Sequence, residues 1–599
     1  MTTPNVKEVI KSSCKCHYCC FTPLLSYPNS LDHQTSTNIT TNSSTFQYDF
    51  ATATITSLYP HTQFTNPESL PTLQQSFRRF TSSFPQYLNT VEVDQIRAID
   101  YPHLSKSSNI TLDYFGHALF SYTQQQGDDD QEFVASSSSM TTRPRPKLGR
   151  FEVSHKAKEP SCGEIETSFE SKLKRRIMKY LNILEDDYSM YYTATQTTAF
   201  RVVGESYPFK SNKKLVTVYD HENEAVEAMI ESSKNRGARV SKAEFKWPKL
   251  KIHCKKLEEM VLGNGNNNNG INNNKKKKLN KGLFVFPIQS RISGARYSYQ
   301  WMSMARENGW HVLLDATSLG PKDMDTLGLS LFQPDFLICT FYKVFGDDPS
   351  GFACLLVKKS NPSVLNQSNF WSTRGIVTLI DNSHHEGTST TLDDQENSGH
   401  QSEISNTGQC DIIECKALDH ADSLGLALIS TRTRCLVNWI ANALLALNHP
   451  HADKNVQLIQ VYGPRVRFDR GPAFAFNVYD WKGEKVDPLL VQKLADRNGI
   501  SLGYGCLKHL WFSDRYEDER NKVMDKKKKK EREVKSFKGK RSEKVKNEIT
   551  VVTVTLGFLT NFEDVYRVWE FVAKFLDADF VEKERWRYTA LNQKTIHIL

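Results

Sequence analysis

The chain has 599 residues, 39% of them hydrophobic and 11% aromatic, which is ample material for one large α/β unit or several domains. Its formal net charge of +9 is carried mostly by two lysine runs, NNNNGINNNKKKKLNK at 266–281 and MDKKKKKEREVKSFKGKRSEKVK at 524–546. Such blocks read as solvated insertions, and with no basic helix or binding motif beside them a nucleic-acid partner is not expected. No uninterrupted apolar run approaches the ~20 residues that span a bilayer, so no membrane span is expected either.

Residues 1–65 read as a polar, disordered leader without the positive-then-apolar pattern of a secretory signal. The twelve cysteines are too sparse for a disulfide framework and suit a reducing, intracellular and most simply cytoplasmic setting. A Ser/Thr-rich stretch at 27–57 leaves a plastid or mitochondrial address open, although it lacks the arginines of a transit segment. Within the leader, SSCKCHYCCFTP groups Cys14, Cys16, Cys19 and Cys20 beside His17. Thiolates and imidazole are zinc ligands, but there is no second knuckle, so a flexible thiol-rich tail is the favoured reading and no metal site is expected.

From 66 to 121 the pattern becomes helical and then apolar, ending in ITLDYFGHALFSY, a short strand and a turn at Gly116. Residues 122–170 are a low-complexity insertion. Over 171–380 helix and strand signals alternate. SFESKLKRRIMKYLNI is helical by spacing, and YYTATQTTAFRVVGESYPF is a turn feeding a helix. KLVTVYD is a strand, ENEAVEAMIESSKNRGARV a helix, GLFVFPIQS a strand and YSYQWMSMARENG a helix. WHVLLDATSLG and PDFLICTFYKVFG are strands, and an Asn/Lys insertion interrupts at 264–281. Short apolar strands separated by helices predict crossover units and a doubly wound, mainly parallel sheet. After a polar insertion at 381–412, residues 413–599 read as a long helix and a smaller α+β domain. The strands GPAFAFNVYD and EITVVTVTLGF are joined there by two helices, with a Lys-rich insertion at 514–548.

Asp315 ends one apolar strand, and Lys343 follows the next, amid Phe341, Tyr342, Val344 and Phe345. In an open parallel sheet ligands bind beyond the carboxyl ends of the strands. TATQTT upstream opens a helix whose amides and hydroxyls make a phosphate seat. A phosphate seat, an acid and a lysine are the requirements of pyridoxal 5'-phosphate: the amine condenses with the aldehyde, and the acid keeps the pyridine nitrogen protonated. An apolar setting would favour the neutral, nucleophilic lysine. The competing reading of Lys343 alone is a lysine that snorkels to water from a strand end.

At these residues the sequence resembles class V aminotransferases, and within them the aminotransferase-like part of molybdenum cofactor sulfurases. The resemblance covers 90–380 and 415–580. It is carried by LDYFGHALFS, YYTATQTTAFRVVGESYPF, FPIQSRISGARYSYQW and, most specifically, LLDATSLGPKDMDTLGLSLFQPDFLICTFYKVFG. It implies the type I fold of pyridoxal-phosphate transferases, with the C-terminal molybdopterin-handling module expected to be absent. It further implies Lys343 as the residue that condenses with the cofactor, Asp315 as partner of the pyridine nitrogen, and Thr195 and Gln196 at the phosphate, with Thr340 as a helper. The family's ring-stacking histidine falls in YDHENEAV, where Glu222 takes its place and His221 stands one residue early. A strand-to-helix turn can absorb that shift, so His221 is the expected ring partner.

Three departures lie on the substrate side. Arg291 replaces an asparagine that approaches the cofactor. Thr553 stands where the family has an arginine that clamps the substrate carboxylate. In GYGCLKHLWFSD, Cys506 matches the first cysteine of the family's loop and Lys508 the second, sulfur-carrying one. Cys506 could carry sulfur if the loop moves; otherwise it is a plain half-buried cysteine. The resemblance therefore implies a sulfurase or cysteine desulfurase acting on an amino acid such as L-cysteine, as a homodimer. Two alternatives are a pyridoxal-phosphate enzyme on another amine, with Arg291 replacing the clamp, and a catalytically degenerate relative with a regulatory or interaction role.

Overall fold

The computed structural model describes residues 64–102, 104, 110–113, 151–154, 168–263, 282–318, 333–341, 352–360, 376–381, 416–450, 457–464, 470–524 and 548–596. The leader cysteines, the low-complexity stretch at 122–150, the Asn/Lys insertion, the Lys-rich run at 525–547 and Lys343 itself lie outside the described residues.

The α/β class read from the sequence is the one observed. Seven strands form the main sheet: β1 (Tyr188–Thr193), β2 (Lys214–Thr217), β3 (Arg239–Lys242), β4 (Gly282–Pro287), β5 (His311–Asp315), β6 (Phe336–Thr340) and β7 (Ala353–Lys358). Their order is β1-β7-β6-β5-β4-β2-β3. Every pairing from β6 to β3 is parallel, whereas β7 runs antiparallel to both β6 and β1. The sheet is thus mixed and mostly parallel.

Side-chain alternation explains why it is covered on both faces. Phe284, Phe286, Val312, Leu314, Leu337 and Cys339 enter one apolar cluster. Their neighbours Leu283, Val285, Leu313, Phe336 and Ile338 enter another on the opposite face. That is why β4 and β6 read as unbroken apolar runs.

Helices α1 (Leu73–Ser83) and α2 (Val91–Asp100) precede the sheet in the chain. Crossovers follow as α3 (Gln196–Ser206), α4 (Glu224–Asn235) and α5 (Gln300–Glu307). Gly204 lets α3 lie close on α4, since a Cβ there would come within 2.9 Å of the Met229 carbonyl oxygen. The long α6 (Lys416–Leu445), kinked at Gly425, leads to the second unit. There β8 (Ile459–Tyr462), β9 (Ala473–Val478), β10 (Gly503–Leu507) and β11 (Ile549–Thr555) form an antiparallel sheet in the order β8-β9-β11-β10. Helices α7 (Pro488–Arg497) and α8 (Phe562–Ala573) complete it, sharing a core with Phe474, Phe476, Val552 and Val554. Their partners in alternation, Ala475, Val551 and Ile549, pack with Ile292 of the large unit.

Two local readings need correction. YYTATQTT is a turn only after Thr193; its first part is edge strand β1, recognisable only through its pairing with β7. GYGCL, read as a loop, is strand β10, paired with β11 along its whole length. Two glycines and a half-exposed cysteine carry little strand propensity, so the pairing partner decides.

Candidate active site at the carboxyl edge of the main sheet

Strands β1, β2, β4, β5 and β6 all end on one side of the sheet, and the polar residues collect just beyond them. Asp315 is the last residue of β5 and is buried. Its Oδ1 accepts from the Thr317 amide at 2.9 Å and the Thr317 hydroxyl at 2.7 Å, and its Oδ2 accepts from the Tyr219 hydroxyl at 2.8 Å. The Thr317 oxygen in turn accepts from Gln196 Nε2 at 2.9 Å. A continuous relay therefore runs from the start of α3 to the acid and on to the residue beyond β2. Burial, and then the adjacent Asp315 carboxylate, raise the Tyr219 phenol far above its ordinary range, so it remains a neutral donor.

Thr195 is the N-cap of α3: its Oγ1 accepts from the Thr198 amide at 3.1 Å and lies 2.8 Å from the Thr198 hydroxyl. The first-turn amides of this helix have no partner within it and carry the positive end of its dipole. Thr340 closes β6 and is buried. Phe341 is the last described residue before Lys343.

Beyond β2 the chain places His221 inward and Glu222 outward. His221 is buried, meets Tyr219 edge to face at 5.9 Å, and holds Nδ1 at 2.8 Å from Asp220 Oδ1. Glu222 instead reaches the surface and pairs with Lys508 at 2.7 Å. Asn223 caps α4 by accepting from the Ala225 and Val226 amides. The sequence favoured His221 over Glu222 only by allowing a one-residue shift; the cap at Asn223 fixes where the helix starts and so which side chain turns in.

Arg291 lies in the tight turn after β4. Burial lowers its pKa, opposed by Asp113 and then Asp315, so both carboxylates are within electrostatic reach of this guanidinium. Thr553 is fully buried on β11, opposite Gly503 of β10. A Cβ on Gly503 would come within 2.2 Å of Thr553 Oγ1 and 2.7 Å of Asp113 Oδ1. Asp113, Thr553 and Arg291 thus gather at the junction of the two units.

Cys506 is placed differently. In register Gly503 faces with Thr553, whereas Cys506 pairs with Thr550, on the alternate side of the strand. The strand is held on its other edge too: the Glu222 amide donates to the Cys506 carbonyl at 2.9 Å, and the Lys508 amide donates to the Asp220 carbonyl at 2.8 Å. The half-buried thiol is therefore fixed in a strand between the two units. For Lys508, burial favours the neutral amine, but Glu222 and Glu548 outweigh it and raise the pKa above the ordinary lysine value.

The residues that sequence reasoning missed are Tyr219, Thr317, Asp220, Ser290 and Ser293. Each lies within two residues of one already singled out, but only the hydrogen bonds reveal its use. No group of His, Cys, Asp and Glu among the described residues could hold a metal ion. No helix among them is long and apolar enough to cross a membrane.

No family model matches the chain. It is 24% identical over 476 residues to the molybdenum cofactor sulfurase of Solanum lycopersicum, covering 72% of this chain and 51% of that protein. It is 24% identical over 437 residues to that of Homo sapiens, covering 69% and 44%. It is 28% identical over 247 residues to that of Emericella nidulans, covering 38% and 28%. The chain spans about half the length, or less, of these curated relatives. Among solved structures, the cysteine desulfurase of Thermococcus onnurineus NA1 superposes with a TM-score of 0.41 at 11% identity, covering 67% of this chain and 82% of that one. The cysteine desulfurase CsdA of Escherichia coli gives 0.41 at 13% identity, covering 69% and 87%.

Proposed function

We propose that the chain is a pyridoxal-phosphate-dependent enzyme of the sulfur-mobilising kind, acting on an amino acid with L-cysteine as the first candidate. The observation that carries this reading is the buried Asp315 at the end of a central parallel strand, wired through Thr317 and Gln196 to the start of α3. An acid at a strand end and a helix N-terminus joined by one relay suit the two ends of a phosphate-bearing pyridine.

The residues fit that group. His221 Nε2 is enclosed and has no hydrogen-bond partner among the described residues, and an enclosed ring nitrogen of this kind suits a site that takes a polar ligand. Asp315 Oδ2 receives the Tyr219 hydroxyl and keeps acceptor capacity for a protonated pyridine nitrogen. The α3 first turn and Thr195 would take the phosphate, His221 would lie against the ring, Thr340 would line the site, and Lys343 would supply the amine. When bound, the cofactor supplies an electron sink for cleavage next to the substrate's α-carbon. This chain's residues orient it, keep water from Asp315, and engage both of the acid's oxygens through the Thr317 and Tyr219 donors.

A second reading, a different amino-acid substrate, is favoured by one specific placement. Arg291, rather than a side chain of β11, brings positive charge to the junction where Thr553 is buried, and Cys506 is fixed in a strand. In that reading Arg291 holds the substrate carboxylate. The expected homodimer belongs to the same proposal, and light scattering on the pure chain tests it.

The deciding experiment is a cofactor titration of the pure protein. A visible absorbance band that borohydride bleaches while leaving the cofactor attached irreversibly to the protein, absent in Lys343→Ala, is the expected result. With dithiothreitol present as the reductant, addition of L-cysteine should then yield alanine and, by two-electron reduction of the sulfur removed, sulfide. A colourless wild type, or a Lys343→Ala variant with the same band, overturns the cofactor reading; a band without those products moves the substrate to another amino acid.

A further inference from the structure

Asp220 has no role in the relay around Asp315, yet its buried carboxylate takes as many hydrogen bonds as Asp315 does. Its carboxylate is 0% exposed, with Ser290 at 1%, Ser293 at 0% and His221 at 4%. Ser290 Oγ donates to Oδ1 at 2.6 Å, Ser293 Oγ donates to Oδ2 at 2.5 Å, and His221 Nδ1 lies 2.8 Å from Oδ1.

The serine hydroxyls have no freedom to turn away. Ser290 Oγ accepts from the Ile292 and Ser293 amides at 3.3 and 3.1 Å, and Ser293 Oγ accepts from the Ala295 amide at 3.3 Å. Ser290 Oγ thus accepts twice and Ser293 Oγ once, and the geometry sends both hydroxyl protons to Asp220. An ionised carboxylate only accepts, so the His221 proton must sit on Nδ1. Burial by itself would raise the Asp220 pKa, but the His221 and serine hydrogen bonds outweigh it and hold the carboxyl below its usual range. The remaining ring nitrogen, Nε2, is buried and without a partner among the described residues. An enclosed polar atom of this kind calls for a partner, whether a bound water or a ligand.

We propose that Asp220 is the positioning residue of this site. Together with Ser290 and Ser293 it locks His221 in the Nδ1–H form, so that Nε2 is presented as the ring atom that engages bound cofactor or substrate. The same contacts tie His221 to the 290–294 turn, so the carboxylate sets the histidine and Arg291 in one stroke. What Nε2 meets rests on the functional reading above; the protonation state of the ring does not.

The test therefore begins on the chain without cofactor. In 15N-histidine-labelled protein, the His221 signals are those lost in His221→Gln. They should show an Nδ1–H imidazole in the wild type, and lose that signature in Asp220→Asn. Ser293→Ala, which leaves the carboxylate in place and removes one donor, should shift the same signals in the same direction and serves if Asp220→Asn does not fold. The second arm titrates pyridoxal phosphate by absorbance. Asp220→Asn should bind about tenfold more weakly, at the lower end of what lost supporting partners cost, and the Asp220→Asn/His221→Gln double variant no more weakly than His221→Gln alone. Unchanged histidine signals in both single variants, or additive losses in the double variant, overturn the proposal. A wild type that takes up no cofactor overturns only the functional reading, and the nitrogen spectra then decide on Asp220 alone.

Discussion

Asp315 shows how one buried carboxyl group is satisfied without water. Both oxygens are engaged, one by Thr317 and the other by Tyr219, and neither partner bears a charge. A buried anion is tolerated when enough donors replace its water. Tyr219→Phe removes one of these donors while retaining the ring that packs on His221. It should cost about 1–3 kcal/mol, the scale of leaving a buried acceptor without its donor, read as a lower urea midpoint with an unchanged m-value. No loss of stability would mean that water replaces the phenol. The sequence showed Asp315 by its place after WHVLL. It could not show Tyr219, because a tyrosine near a strand end is most simply an ordinary core residue.

The turn between β4 and α5 is the element on which the site depends most. It reverses over 288–296, with Gln289 bridging to Arg296 and the Ser290 amide bonded to the Ala295 carbonyl at 2.8 Å. Gly294 sits at φ +66°, and a Cβ there would lie 1.8 Å from the Ala473 carbonyl oxygen at the start of β9. The left-handed conformation alone costs a non-glycine residue roughly 1–2 kcal/mol; the overlap adds to it by pushing the small unit away. Gly237, at φ +92° with nothing within 4 Å of its would-be Cβ, is the natural control. Gly294→Ala should therefore destabilise more than Gly237→Ala in the same denaturation assay and also weaken cofactor binding. Equal losses would show that the contact with β9 carries no weight. Nothing in QSRISG could show which backbone its glycine must touch, because that backbone lies about 180 residues further on.

The two units are joined by charged side chains as well as by apolar packing. Arg97 on α2 donates to the Leu559 carbonyl at 2.8 Å, to Asp564 at 2.5 and 3.0 Å, and to the Leu104 carbonyl at 3.0 Å. Asp564 in turn closes the capping box of α8 with Asn561. Arg432 of α6 repeats the device, reaching Thr90, Asp94 and the Thr560 carbonyl. Arg97→Ala strands a buried carboxylate and should cost about 3–5 kcal/mol. Limited proteolysis should then cut within 66–104 well before the main sheet, whereas the wild type resists. Cleavage of both at the same rate would mean that the apolar contacts alone hold the N-terminal helices.

Periodicity and composition were enough to give the α/β class, because a strand covered on both faces must be apolar at every position and a crossover helix must be amphipathic. Those are properties of adjacent residues. The chain order of the Thr-rich turn, Asp315 and Lys343 was legible for the same reason: strand ends and helix starts are local. What only the tertiary structure decided is everything that depends on a partner distant in sequence. It inserted β7 antiparallel between β1 and β6, made a strand of the segment bearing Cys506, and turned His221 inward in preference to Glu222. It also brought two serines from a turn 70 residues away onto Asp220. A hydrogen bond has no signature in the sequence until both of its ends are in place.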